Sequence, residues 1–562
     1  MARGGARGVL LVFSLLVATT SALLVRAALW PPPGTAFVGT FYYVDDFYNY
    51  LSYVQQAEDG ALVFRNKLAP PAAPAALVNL EWLVVGWLSA LLGHRPLLAY
   101  RLVGLVASLG LVVLADRWLL RCGLPRERRL AALLLVFTGG GLGGALVATG
   151  VLPPERALDL RAGLYPFVEV LANPHFVVGT TLLLAALGAY AAGRVALGAL
   201  LATVLGLVRP YDAAIVALVA GAAVPCLSPP REWARRLAPV VLVAPVLAWN
   251  AWLFLASPGF SLFASSSYST VAPGPLEIVL AVAPAAALSL LAMGEAAPDP
   301  EARRHRVFLA LWSGTALALA LAQPVAFATQ FLVGVGLPLL ALAAVGLSRR
   351  PRWLAVSVPL LAGSSVLVVA LVARPAPRWH VPAERFRVAG SLRDVCRAGD
   401  LVLAPPDVGL YVGGLTSCWP WVSHAAAPDF EERDRIARRF YSAEPGEWRS
   451  RFLAETCVRA VVLPPADAAA SASDPAPESG FRFLGDAPGR TGLAVAVRDR
   501  LPDSCRRHGR RRRSRRRPSR DRAPDRAVAL ARAIPTAVPV PARSLRERCG
   551  RPRLPTLHVR SR

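Results

Sequence analysis

The chain has 562 residues, 55% of them hydrophobic and only 17% charged, with a mean hydropathy of +0.45. A soluble protein of this size carries about a quarter charged residues, so the composition excludes an ordinary soluble enzyme and implies an α-helical polytopic membrane protein. The formal charge of +26 is uneven: Leu501 to Arg562 carries twenty Arg against four acids, a net +16, and the rest lies mostly in short clusters between apolar runs.

Val9 to Leu29 is apolar and long enough to span a bilayer. Arg3 and Arg7 precede it, which favours a cytoplasmic N-terminus, and a cleaved signal peptide is the competing reading. Residues 30–96 read as a large first outer loop. It opens with Phe41-Tyr42-Tyr43-Val44-Asp45-Asp46-Phe47-Tyr48-Asn49-Tyr50. Aromatic rings suit the membrane–water interface. A pair of acids does not help a helix insert, so Asp45 and Asp46 are candidates for acid/base or metal-binding work. The bland alternative is a solvated loop inside an aromatic belt. Lys67, the only lysine, follows, and then Pro70, Pro71 and Pro74. Ala76 to Leu92 is apolar but short, interrupted by Asn79 and Glu81, and is expected to lie on the outer surface instead of crossing.

With that segment outside, the remaining apolar runs alternate so that every basic cluster between spans falls inside. These clusters are Arg121–Arg129, Arg194, Arg231–Arg236, Arg303–Arg306 and Arg349–Arg352. The count is about eleven spans, the last ending at Ala373. Residues 374–500 alternate short apolar runs with polar stretches, such as Asp400–Pro406 and Val458–Pro464, and read as a small α/β extracytoplasmic domain. Ala466–Glu478 reads as a surface loop. The Arg-rich tail, 501–562, is expected to be disordered and to meet anionic lipid head groups instead of nucleic acid. No Cys-x-x-Cys occurs among the seven cysteines. Cys396, Cys418 and Cys457 lie on the outer side, where one bridge is permitted and its pairing stays open.

Polar residues gather on the outer side. The second outer loop, Val151 to His175, holds Glu155, Asp159, Arg161, Glu169 and His175; the third holds Arg209 and Asp212; the fourth is Ser-rich, with Ser265–Tyr268; the fifth has Gln323 and Gln330. Arginine suits a lipid-linked phosphate because its planar fork binds phosphate oxygens in pairs. The plain alternatives are that Arg209 and Asp212 form a structural ion pair, that Arg161 is a loop charge, and that His175 caps the next helix.

One apolar segment, a large outer loop opening on Asp45-Asp46, a Pro-broken amphipathic helix, many spans and an outer C-terminal domain together resemble the GT-C superfamily of membrane glycosyltransferases. The layout is similar to that of the protein O-mannosyltransferases and the lipid A aminoarabinose transferases. The resemblance runs from about Val9 to Arg500. Its sequence-specific part is the acid pair, the Gly93–Arg101 stretch and the second-loop acids. It implies transfer of a sugar from a polyprenyl-phosphate carrier to a protein, lipid or glycan acceptor on the outer face of the cell membrane. By the same resemblance Asp46 is the base, and Asp45 orients it or joins Glu155 and Asp159 around a divalent metal ion. The leaving phosphate calls for a cation, which Arg161, Arg209 or Lys67 would supply, and His175 and Tyr43 complete the substrate-binding set. In the terminal domain Tyr411, Trp419, Trp421 and His424 either stack on sugar rings or pack its core. Two other classes compete: a transporter or flippase of a lipid-linked saccharide, and a non-catalytic assembly protein of the cell-envelope glycan. A transporter would show mid-span charges and internal repeats; charges are scarce and no repeat is evident.

Overall fold

Proline sits in the first turn of the helices Pro96–Arg121, Pro174–Ala191, Pro210–Leu227, Pro275–Gly294, Pro300–Ala322 and Pro351–Leu361. There its missing N–H costs nothing and its fixed φ suits the helix. Asn79, Asn173 and Asp299 add side-chain caps that accept from backbone N–H groups at three helix starts. The structure is a computed structural model. It describes residues 3–498 except 69–72, 162, 262–272, 326, 425–426, 428, 443–446, 464–480 and 485–492. The expected tail 501–562, the loop Ala466–Glu478 and the Ser-rich segment Ser265–Tyr268 lie outside the described residues.

Among the described residues, eight helices are long and apolar enough to cross a bilayer, and three shorter apolar helices accompany them, Leu80–Leu91, Val195–Gly206 and Ala244–Ala256. The chain is a multi-pass membrane protein. Of the eleven apolar runs expected to cross, three are not among these eight. The run at 130–150 divides into Arg129–Thr138 and Gly143–Ala148. Between these two helices the backbone passes close to the helix Pro275–Gly294: Leu142 N–H donates to Leu280 O at 3.0 Å, and a Cβ on Gly141 would meet Ala281 O at 2.0 Å. Only glycine admits that approach. The run at 197–208 is a twelve-residue helix, and the run at 237–255 divides into Trp233–Val241 and Ala244–Ala256.

The helix Gly336–Leu347 is buried on every side and is apolar all round, as a helix at the centre of a bundle must be. Spans at the periphery leave Leu, Val and Trp exposed, among them Leu10, Leu11 and Leu15 on the first helix, which suits contact with lipid chains. Arg306 ties three helix ends together by donating to the carbonyls of Cys122, Ala292 and Glu295.

After the last apolar helix the chain returns to the first loop. Strand β1, Thr35–Phe37, pairs antiparallel with β2, His380–Pro382. The strands that follow are β3, Leu401–Leu403; β4, Trp419–Pro420; β5, Val458–Leu463; β6, Phe481–Leu484; and β7, Ala494–Arg498. They form one sheet in the order β4-β3-β5-β7-β6, parallel among β4, β3 and β5 and antiparallel beyond. The runs Leu401–Leu403 and Val458–Leu463, read from sequence as buried strands, are the buried centre of this sheet. Cys396 and Cys418 form a disulfide in this unit.

Candidate active site

The loop after the first helix contains the helix Val44–Glu58, and Asp45 and Asp46 both fall in its first turn. Negative charge is favoured there by the unpaired N–H groups and the helix dipole. Tyr43 precedes the helix in the left-handed region, at φ 48°. That conformation is unusual for a bulky residue and marks a strained turn. The turn is fixed from below: Tyr42 donates to Leu160 O at 2.8 Å, Thr40 donates to Ala172 O at 3.0 Å, and the Tyr43 ring meets Phe176 edge-on at 6.0 Å. Arg101, in the Gly93–Arg101 stretch, donates to Gly39 O. Four separate elements thus set where the acid pair begins.

The two acids are not equivalent. Asp45 is open to solvent yet crowded by protein, and burial raises its carboxyl above the usual range; His424 opposes that rise and Asp46 adds to it. The Asp46 side chain is 36% exposed, with Oδ1 3.5 Å from Nε2 of His424. Tyr50 and Tyr53, one and two turns further along the helix, both face the charge of Asp46.

Beneath the acid helix lies a buried polar layer. Glu81 and His175 form a contact of 2.5 Å, and Tyr50 stacks on Trp82 at 4.7 Å and lies 5.2 Å from the His175 ring. Tyr100 donates to Asn173. Arg209 donates to Gln330 at 2.9 Å, lies 3.4 Å from Asp212 and sits over the Phe176 ring at 5.1 Å. Gly179 makes room for this group, since a Cβ there would meet Arg209 Cδ at 2.4 Å. Glu169 joins the layer; burial pushes its carboxyl up to about 8, against the Thr180 hydroxyl and Arg209.

The structure therefore gathers Tyr43, Asp45, Asp46, His175 and Arg209 at one end of the bundle but buries the last two, with Arg209 at 2% and His175 at 9% exposure. Lys67 has a different place. Its Nζ is buried and donates to Gly413 O at 3.0 Å, Thr416 O at 2.6 Å and Gln55 Oε1 at 3.1 Å. All three of its donors are spent on protein acceptors, so it is a strut between the first loop and the end of the helix Pro406–Leu415, not an open cation. Arg161 is exposed and donates to Glu155 O.

The donor set expected for a divalent cation is not assembled. Asp159 is buried with Oδ2 accepting from Ser364 at 2.7 Å and from Gly144 N–H at 3.3 Å. Glu155 is exposed, 3.5 Å from Arg378. Among the described residues no three His, Cys, Asp or Glu side chains group as metal ligands. Of the aromatic residues expected either to stack on sugars or to pack, Trp419 and Tyr411 are buried, Tyr411 against Tyr48 at 4.7 Å. Glu81 and Tyr50 also belong to this buried layer, and the sequence did not single them out as candidates. The available signal was Glu81 itself, a carboxylate in an otherwise apolar helix, which calls for a partner.

No protein-family model matches the sequence, and no curated protein matches it. Solved structures do. Arabinofuranosyltransferase AftD from mycobacteria matches with a TM-score of 0.51 at 16% identity, covering 87% of this chain and 40% of that one. The chain thus spans well under two thirds of the length of that protein. ArnT from Cupriavidus metallidurans bound to undecaprenyl phosphate gives a TM-score of 0.46 at 13% identity, with 86% and 97% covered. The archaeal oligosaccharyltransferase AglB from Archaeoglobus fulgidus, in complex with an inhibitory peptide and a dolichol-phosphate, gives 0.42 at 12% identity, with 86% and 74% covered. The likeness to AftD shows a shared fold across most of this chain.

Proposed function

We propose that the chain is a membrane glycosyltransferase that moves a sugar from a polyprenyl-phosphate carrier to an acceptor hydroxyl on the outer face of the cell membrane. The N-terminus is then cytoplasmic, and the sheet-bearing unit 374–500 lies outside. The observation that carries this reading is an acid pair at an open helix start, on the same end of the bundle as the sheet unit. Asp46 is the base. The acceptor oxygen attacks the anomeric carbon and gives its proton to the Asp46 carboxylate. The bond from that carbon to the carrier oxygen breaks, and its electron pair stays on the phosphate. This displacement inverts the anomeric centre. Asp45 keeps the first turn oriented and supplies the second carboxylate. The departing phosphate is already anionic and needs cationic stabilisation more than an acid; of Lys67, Arg161 and Arg209, the exposed one is Arg161.

The test is sugar transfer in membranes supplied with labelled polyprenyl-phosphate sugars, comparing the native chain with Asp45→Asn and Asp46→Asn. Transfer by the native chain that is abolished in Asp46→Asn is the expected result. Equal transfer by all three removes the acid pair from catalysis and brings the transport and assembly readings forward.

A further inference from the structure

The acid-bearing helix is gripped from the side of the sheet unit. Tyr48 meets Tyr411 edge-on at 4.7 Å and Phe386 at 6.3 Å. Gly414 admits the helix backbone, since a Cβ there would lie 2.7 Å from Tyr48 O. Gln55 donates to Ser417 Oγ at 3.1 Å, Ser417 donates to Asp59 at 3.2 Å, and Lys67 locks the same corner from below. These contacts register the helix Val44–Glu58 against the segment 411–417, and β4 follows that segment directly. His424 lies just beyond β4, is 2% exposed, and presents Nε2 to Asp46 Oδ1 at 3.5 Å.

A buried histidine is most often a satisfied core residue. This one differs in what it faces: a carboxylate that opens to solvent on its other side, next to a second carboxylate in the same turn. Two adjacent acids repel, and an unrestrained Asp46 side chain would rotate away from Asp45. A donor fixed by another element removes that freedom. We infer that His424 is a positioning residue for Asp46, holding one carboxylate oxygen so that the other faces the acceptor hydroxyl. The inference rests on the glycosyl-transfer reading above. The acceptor proton goes to the free oxygen of Asp46, and His424 takes no proton in the step. Its consequence is that the sheet unit completes the site instead of merely covering it.

The test uses the full chain solubilised in detergent, with His424→Ala and His424→Gln. With His424→Ala, kcat for sugar transfer should fall about tenfold to a hundredfold, the cost of a misplaced catalytic group. KM for the polyprenyl-phosphate sugar should stay within about twofold, because ground-state binding is untouched. His424→Gln keeps an N–H donor and should recover part of the loss. An unchanged kcat, or a rise in KM alone, overturns the inference. A second measurement does not depend on activity: a thermal-unfolding cycle over His424→Gln, Asp46→Asn and the double variant. Coupled residues give non-additive shifts, and strict additivity overturns the inference even in an active transferase. Coupling in a native chain that transfers no sugar upholds the tie between His424 and Asp46 and defeats the transfer reading instead. Should His424→Ala fail to fold, His424→Gln carries both measurements.

Discussion

Asp46 and Asp159 are the same residue type, each placed at the start of a helix, and their surroundings make them different groups. Asp46 stands in the first turn of Val44–Glu58 with a side chain over a third exposed. Asp159 is enclosed: one oxygen accepts from the Ser364 hydroxyl and the Gly144 N–H, and burial raises its carboxyl above the usual range. An enclosed carboxylate with Oδ2 held by two donors and Oδ1 shut away from solvent is a cap for the start of Gly143–Ala148. An exposed carboxylate gripped from one side has an oxygen left for a substrate. Access to solvent separates chemistry from architecture here; residue type does not.

The largest expected effect breaks or sharpens that contrast directly. Asp46→Asn should lower transfer by about a hundredfold to ten-thousandfold, the usual worth of a general base, in a protein that still folds. Asp159→Ala should leave kcat in place and destabilise the fold by about 1–3 kcal/mol, because the Ser364 hydroxyl and Gly144 N–H lose their acceptor. Initial rates and thermal unfolding of both variants decide it. If Asp159→Ala abolishes turnover in a stable protein, the contrast fails.

A smaller effect concerns the layer under the acid helix. Glu81→Ala removes the buried partner of His175 and should cost about 3 kcal/mol of stability, since breaking a buried pair leaves the other member uncompensated. Glu81→Gln should cost less, because the amide still offers His175 an oxygen. Chemical unfolding of the two variants gives the comparison, and equal losses would mean that packing, not the polar contact, carries Glu81.

The smallest effect near neutral pH is at Lys67. Burial lowers its ammonium from 10.5 to about 7, with Asp59 opposing. The unfolded chain therefore binds more protons than the folded chain between pH 7 and 10.5, and stability rises with pH across that window. Lys67→Met should flatten that rise. Unfolding temperatures at a series of pH values for the native chain and the variant test it, and parallel curves would show that Lys67 is not the titrating group.

Much of the frame is legible in the sequence. Apolar run length finds the helices, because a bilayer imposes one dimension on every span. Adjacent acids after the first span mark the proposed site, because adjacency is local information. Reading failed wherever a residue's role depended on a distant partner. Lys67 looks like a free cation until Gly413 and Thr416 arrive around it. For Arg209 the sequence leaves both a phosphate ligand and an ion pair with nearby Asp212 open, and only the fold brings the distant Gln330 to it. The expected span at 130–150 divides because Ala281 comes within reach of Gly141, and nothing in the local hydropathy records that approach.

The sequence by itself determined that this protein is helical, multi-pass and acid-bearing in its first loop. Those properties follow from transfer free energies and periodicity summed along short windows. The tertiary structure alone decided that Asp159 is enclosed, that Lys67 is a strut and that His424 reaches Asp46. Burial, hydrogen-bond satisfaction and charge pairing are set by residues far apart in the chain, and only folding brings them within a few ångströms.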